Sequence, residues 1–229
     1  SNYNRDIENF AILEKILVKI TGEKYPFSYK SPTDMGINMA GFGIINDEFC
    51  QKAAKEEIIR RFFRYTVEKL EVKETQKTVD RITEILNKAN LKPEDRSVVT
   101  PARKAESEAA GTGKGFKNIY CGSAIELPDG RVVTGKNSPI FHSESAAILN
   151  ALKVLAGIPD KIHLISPAIL GEIGLMKGKL LSHLSPSLSV NDTLIVLASC
   201  ATTNPLAKKA IDKVDQLRGC ELHSTFVLP

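Results

Sequence analysis

Residues 135–157 read "GKNSPIFHSESAAILNALKVLAG", a short polar loop running straight into an almost wholly apolar helix, predicted over 139–156. Upstream, "SAIEL" (123–127), the turn Pro128-Asp129-Gly130 and "RVVTG" (131–135) predict a β-hairpin, because Asp-Gly suits a tight turn with positive φ. Downstream come "KIHLIS" (161–166), a helix from Pro167, "TLIVLAS" (193–199), a helix from Pro205 to Leu217, and "ELHSTFVL" (221–228). With the three apolar runs read as strands, the order is β-β-α-β-α-β-α-β. Strands separated by helices need right-handed crossovers, which predicts a mixed, largely parallel sheet with helices on its faces, an α/β domain.

The first half is helical in pattern. Residues 5–20 read as a short amphipathic segment, followed by "KYPFSYKSPTDMGINMAGFG" (24–43), rich in Pro, Gly and Ser. Asn46 is placed to cap a long charged-and-aromatic helix reaching about Leu70. Val72, Thr75, Val79, Ile82, Leu86 and Ala89 alternate three- and four-residue steps, the seam of a second helix packed on a partner. Pro93 breaks the pattern and starts another helix, which ends near the glycines of "GTGKGF" (111–116). That piece lacks the G-x-x-x-x-G-K-[ST] spacing of a phosphate loop and reads as a linker. The expected division is a mainly helical subdomain over 1–115 and an α/β subdomain over 116–229.

The chain has 229 residues, 42% hydrophobic and 25% charged, ordinary values for a soluble globular protein. Its apolar runs fall short of the roughly 18 residues that span a bilayer, so no membrane partner is expected. The start carries no secretory pattern, and Ser1-Asn2-Tyr3 without an initiator Met reads as a trimmed piece. Net charge is +4, from 31 Lys+Arg against 27 Asp+Glu, with both signs mixed along the chain. The densest basic cluster, Arg60, Arg61 and Arg64, has no aromatic RNA motif beside it and reads as a solvated helix face, not a nucleic-acid surface. Cys50, Cys121, Cys200 and Cys220 are far apart and read as reduced thiols of a cytoplasmic protein.

Ser138-Pro139, Ser166-Pro167 and Asn204-Pro205 repeat one punctuation before three helices. Ser and Asn are good N-caps, and Pro is preformed for the first helical turn. If parallel strands bring these loops to one sheet edge, their free N–H groups, with Lys136 nearby, make an anion site for a phosphate or carboxylate. Lys136, Asn137, Ser138, Ser166, Thr202, Thr203 and Asn204 are its candidate ligand-binding residues. The competing reading is three well-capped helices in a stable sheet.

His142-Ser143-Glu144 is an H-x-E, which zinc deaminases put at a helix start with the second motif P-C-x-x-C at the next helix. Here that place reads Pro167-Ala168-Ile169-Leu170-Gly171, so both thiolate positions are lost, and one imidazole cannot hold catalytic zinc. A set built from His142, Cys200 and His223 is geometrically conceivable, but no metal and no other cofactor is the expectation. Glu144 is favoured at a helix N-terminus by the dipole alone. His142 reads either as a ligand-contacting group or as a structural histidine. Cys200, between an apolar run and the Asn204-Pro205 helix start, reads either as an activated nucleophile or as a small buried residue. These three are the catalytic candidates.

"NYNRDIENF", "SPTDMGINMAGFGI", "EEIIRRFFRY", "VTGKNS", "SAAILNALKVLAGIPDKIHLISP" and "ATTNP…LRGCELHST" together resemble the bacterial family catalogued as domain of unknown function 1846, in its C-terminal half. The resemblance implies a chain about half the family's length. It also implies a preceding α/β domain with a Gly-rich, P-loop-like segment, a short further C-terminal tail, and a cytidine-deaminase-like three-layer fold for the second half. The family's name assigns no activity, so no catalytic residues carry over. Beside such a nucleotide-binding domain, Ser31, Thr33, Asp34 and Asn38 would be placed to reach across an interface; otherwise they form a surface loop. Two functions follow as expectations. The first is a metal-free domain of an enzyme, binding a phosphorylated or nucleotide-like small molecule. The second is an interaction or homo-oligomerisation module supporting the N-terminal domain. A zinc deaminase or hydrolase ranks behind both.

Overall fold

The structure, a computed structural model, describes residues 15–16, 18–20, 22, 47–180 and 187–226. The stretch 24–43, the Asn46 cap and most of the segment 5–20 lie outside the described residues. Packing divides the chain into two compact units, Ser1–Arg96 and Ser97–Pro229.

The first unit holds helix α1 (Asp47–Leu70) and helix α2 (Gln76–Lys88). Ile59, Leu86 and Leu91 are buried between them, with Ile58, Phe62 and Phe63 packed alongside. The seam behaves as its spacing predicts at Ile82 and Leu86, which are the buried residues of α2. Val72 departs from it: the residue sits in the turn between the helices at φ 61° and is 91% exposed. Glu57 binds Arg60 at 2.7 Å and Arg61 at 3.0 Å. Burial would raise the Glu57 carboxyl, but the hydrogen bond from Arg61 and the charges of Arg61, Arg60 and Arg64 hold it below its ordinary value.

The second unit begins with helix α3 (Val99–Gly111), followed by β1 (Gly122–Glu126) and β2 (Val132–Lys136). The hairpin is the one predicted. Gly130 takes φ 82° in its turn, and Leu127 N–H donates to Arg131 O at 2.8 Å. Helix α4 (Ser143–Ala156), helix α5 (Pro167–Leu180), helix α6 (Val190–Cys200), helix α7 (Pro205–Ile211), a 3-10 turn (Val214–Leu217) and β3 (Leu222–Ser224) complete it. Among the described residues the sheet has three strands in the order β2-β1-β3, both pairings antiparallel.

Strand alternation sorts the sheet's side chains between two helices. Ala124 packs with Val98 and Ala102 on the α3 side, while Ile125 packs with Ala147 and Ala151 of α4. Two glycines set how close the helices come. A Cβ on Gly122 would lie 2.2 Å from Ala102 O, and one on Gly135 would lie 2.1 Å from Ala147 N. Helix α4 is covered again on its far side, where Leu152 and Ala156 join Leu164, Ile165, Leu197, Cys200, Ala207 and Ala210 in the largest apolar cluster described. A helix covered on two sides needs only a narrow polar face, which is why 146–156 is apolar apart from Asn150 and Lys153.

Four sequence expectations change here. "TLIVLAS" is not a strand but the body of α6. Ser189 Oγ accepts from Asp192 N–H and the Asp192 carboxylate accepts from Ser189 N–H, both at 3.2 Å, a capping box that starts a helix. The buried residues that follow, Thr193, Leu197 and Cys200, are spaced by four and three. A short apolar run fits strand or helix, and the capping box decides. "KIHLIS" is not a strand either: Leu164 and Ile165 are consecutive and both buried in the apolar cluster, a pattern without alternation. Nor is a parallel edge left on the central strand, because β3 pairs with β1 antiparallel on the side away from β2. The order in this unit is therefore α-β-β-α-α-α-α-β, a mixed α/β architecture without the predicted parallel crossovers among the described residues. The apolar helix also starts at Ser143, not at Pro139. "GTGKGF" is the turn that leads from α3 into the residues before β1, inside the second unit.

Candidate functional site

The start of α4 gathers more buried polar groups than any other place among the described residues. His142 is its N-cap in extended backbone, half-buried, with its own N–H donating to Leu188 O at 3.1 Å. Phe141 forms a parallel bridge with Leu188, and Ser187 Oγ donates to the carbonyls of Ser138 and Pro139 at 3.0 and 3.2 Å. Ser145 Oγ adds a bond to Leu188 O at 2.9 Å. Segment 187–189 thus fastens the loop 138–142, which keeps Pro139 out of the helix.

Behind His142, Ser143 and Glu144 are buried. One row of the sheet faces them: Gly135, Ser123 and Ser224 are register partners across β2, β1 and β3. Ser123 Oγ pairs with Ser143 Oγ at 2.8 Å, and Ser224 donates its hydroxyl to the Glu144 carboxylate. Beside this row, Asn137 Oδ1 accepts from Cys121 N–H at 2.8 Å and its Nδ2 donates to Ile119 O at 2.9 Å. Burial, followed by the charges of Glu144 and Glu106, pushes the Cys121 thiol up to about 11. A nucleophile needs a base beside it or a depressed pKa. Cys121 is held as a thiol, and the Ser143 hydroxyl faces another hydroxyl. The group is chemically a hydrogen-bonded core that carries one carboxylate.

The predicted ligand-binding residues are engaged largely by their own chain. Lys136 Nζ lies 2.7 Å from a Glu108 oxygen of α3, and that hydrogen bond holds the Glu108 carboxyl below its ordinary value. Ser138 Oγ accepts from the N–H groups of Ile140 and Phe141, a turn and not the helix cap expected of it. Ser166 Oγ accepts from Ile169 N–H at 3.3 Å, at the start of α5. Asn204 caps α7 as predicted, its Oδ1 accepting from Leu206 and Ala207 N–H at 3.0 and 3.3 Å. Thr202 Oγ1 donates to Ser199 O at 2.7 Å, and Thr203 is exposed. The strand premise for gathering these groups at one edge fails with the antiparallel sheet. Cys200 follows no strand: it ends α6, is buried in the apolar cluster, and its carbonyl accepts from Thr203 and Asn204 N–H in the turn before α7. Among the described residues no three His, Cys, Asp or Glu side chains form a group that could hold a metal.

Two features escaped the sequence reading. The first is a cavity of about 150 Å³ lined by Phe141, Ala146, Leu149, Asn150, Lys153, His163, Leu164, Ile165 and Leu170. Asn150 and Lys153 were its signal, as polar residues one turn apart in the otherwise apolar run 146–156. The second is α5. Its Leu170 packs on the apolar cluster, and its Lys177 bonds Ser187 O at 2.8 Å and the Asp192 carboxylate at 3.0 Å. Ile169, Leu175 and Met176 stay exposed, and a Cβ on Gly171, Gly174 or Gly178 would meet nothing within 4 Å.

Comparison with known proteins gives two adjoining matches. Residues 1–90 match the family described as "Domain of unknown function DUF1846, N-terminal", and residues 94–229 match "Domain of unknown function DUF1846, C-terminal". The chain thus carries sequence of both parts and not of the C-terminal part alone. The change between them falls within a few residues of the boundary between the two compact units. A UPF0371 protein of Clostridium tetani is 48% identical over 228 residues, 99% of this chain and 45% of that protein. UPF0371 proteins of Clostridioides difficile and Clostridium botulinum are 46% identical over the same share. The chain therefore spans about 45% of the length of these relatives. No described helix is long and apolar enough to cross a membrane.

Proposed function

The chain belongs to the DUF1846 family, and from that premise we propose that its second unit is an interaction module, docking through α5 onto the remainder of the full-length polypeptide. One observation carries this reading: α5 is covered where Leu170 and Lys177 meet the rest of the unit, yet it leaves Ile169, Leu175 and Met176 exposed beside three glycines, among only two exposed charges, Glu172 and Lys179. Large apolar side chains left exposed together on one helix suit a partner surface. Each of Gly171, Gly174 and Gly178 lowers helix stability by about 1 kcal/mol relative to alanine, with no close contact in this unit to offset it. At steps of three and four they line one side of the helix, where a second backbone can approach closely. The length left over in the relatives supplies an occupant, since more than half of each lies beyond the part this chain matches. Co-expression of this chain with the rest of the full-length protein as a separate polypeptide tests the proposal. The two co-purify, and Gly174→Trp, at an open position, abolishes the complex without unfolding the chain. A complex that survives Gly174→Trp contradicts it.

A second reading keeps a phosphate- or nucleotide-like ligand at Lys136, Asn137, Ser138, Ser166 and Thr202–Asn204. It is favoured by the surface position of the Lys136–Glu108 pair, a solvent-screened contact that an anion can displace. Against it, α7 has only seven residues, and Lys136, Asn137, Ser138, Ser166, Thr202 and Asn204 are already bonded within the chain. Melting temperature of the full-length protein in phosphate and nucleotides separates the two: no rise in either rejects this second reading. The hairpin followed by a helix that opens on His142 and Glu144 supports a deaminase-like ancestry for the unit and carries no activity with it.

A further inference from the structure

We propose that the cavity between α4, residues 163–165 and the start of α5 binds a small carboxylate with a compact apolar body, such as an aromatic or branched aliphatic acid. A half-open cavity of about 150 Å³ accepts a body about the size of benzene. Five lining side chains, Phe141, Leu149, Leu164, Ile165 and Leu170, suit the apolar body. Lys153 suits the charge. Its side chain is 13% exposed, drawn in against the helix, and its ammonium donates to the backbone carbonyl of Asp160 at 2.7 Å. An ammonium has three donors, so this bond fixes its position and leaves two.

The counter-charge is loosely held. The Asp160 carboxylate lies 3.7 Å from Lys153 Nζ, beyond hydrogen-bonding distance, on a side chain that is 95% exposed. A ligand carboxylate can take that place while the Asp160 carbonyl keeps the lysine where it is. Asn150 stands one turn earlier on the same side of α4, with its amide oriented by a bond to Thr134 O at 2.9 Å, and the exposed His163 also lines the space. A neutral isostere meets the same walls but leaves the ammonium without its anion. Charge therefore sets the selectivity, and shape sets the size limit. The inference is independent of α5 docking.

The test is titration of the whole chain with benzoate and 3-methylbutanoate, beside benzamide and 3-methylbutanamide, followed by calorimetry and by amide NMR shifts of residues 146–153 and 163–170. The carboxylates bind, and the amides bind at least about tenfold more weakly. Lys153→Met, which keeps the buried stem, removes that difference. Asp160→Asn alters an exposed side chain that folding does not need, and it tightens carboxylate binding roughly threefold by removing the competitor. The proposal is overturned if neither acid binds up to about 10 mM, an affinity too weak to be specific. It is equally overturned if amides match the acids, or if Asp160→Asn leaves the affinity unchanged.

Discussion

Ser224, in the last strand, donates its hydroxyl to the carboxylate of Glu144, eighty residues earlier at the second position of α4. The bond ties β3 to the helix on which the second unit is centred, and it satisfies a carboxylate that is 7% exposed. Removing either partner leaves a buried polar group short of a bond. Glu144→Ala and Ser224→Ala should each lower stability by about 1–3 kcal/mol, with a coupling near 1 kcal/mol in the double-mutant cycle. Urea melts of the four proteins measure it, and strictly additive losses would show that the two groups do not depend on each other.

Two classes of glycine predict opposite signs. Gly122→Ala and Gly135→Ala drive a Cβ into helix backbone at 2.2 and 2.1 Å, which a rigid neighbour cannot relieve, so each should cost about 2 kcal/mol or more. Gly174→Ala meets open space inside a helix and should stabilise this chain by about 0.5–1 kcal/mol. In the full-length protein the same methyl intrudes on the docked partner and the gain disappears. Thermal melts of both lengths read the change of sign.

Cys121 gives a test in alkali. Its thiol is pushed up to about 11 in the fold, against an ordinary 9.0, so the unfolded chain ionises first. Stability from this group is complete below about pH 9 and is lost as pH rises toward 11, by up to about 2 kcal/mol. Cys121→Ala should lose less stability than the wild type between pH 8 and pH 11 by about that amount. Parallel profiles would remove Cys121 from the account.

Asp192 gives a test in acid. Burial would raise its carboxyl, but bonds from Lys177 and Ser189 outweigh that and hold it below the ordinary 3.8. A depressed carboxyl stabilises above its ordinary value and loses that contribution as pH falls through the folded one, so the window lies below about pH 4. Asp192→Asn should cost about 1 kcal/mol at pH 7, from the cap and the bond to Lys177, and nearly nothing at pH 2–3. Chemical denaturation at the two pH values compares them; an equal cost at both would contradict the sign.

How much of this could be read from the residues depended on the kind of signal. The hairpin was legible because Asp129-Gly130 names its own turn, and the α7 cap because Asn204-Pro205 names its own helix start. "TLIVLAS" misled because an apolar run fits either element, although the deciding Ser189-x-x-Asp192 lay just upstream. "KIHLIS" misled because only tertiary packing tells a buried irregular segment from a buried strand. The anion edge rested on those two strands and lost its geometry with them. At the start of α4, His142 and Glu144 were visible as a pair, but Ser123, Ser143 and Ser224 were not. Hydroxyls carry no pattern until register brings them into one row.

The central claim is that α5 is an internal surface of a longer protein. Gly174→Cys places a thiol on its open side, and the rate of alkylation at that position, followed by mass spectrometry, reads its exposure directly. The account predicts fast labelling in this chain and strong protection, about tenfold or more, in the full-length protein at every concentration. Equal rates in the two would contradict it, and protection in this chain alone that grows with concentration would assign the face to a second copy instead.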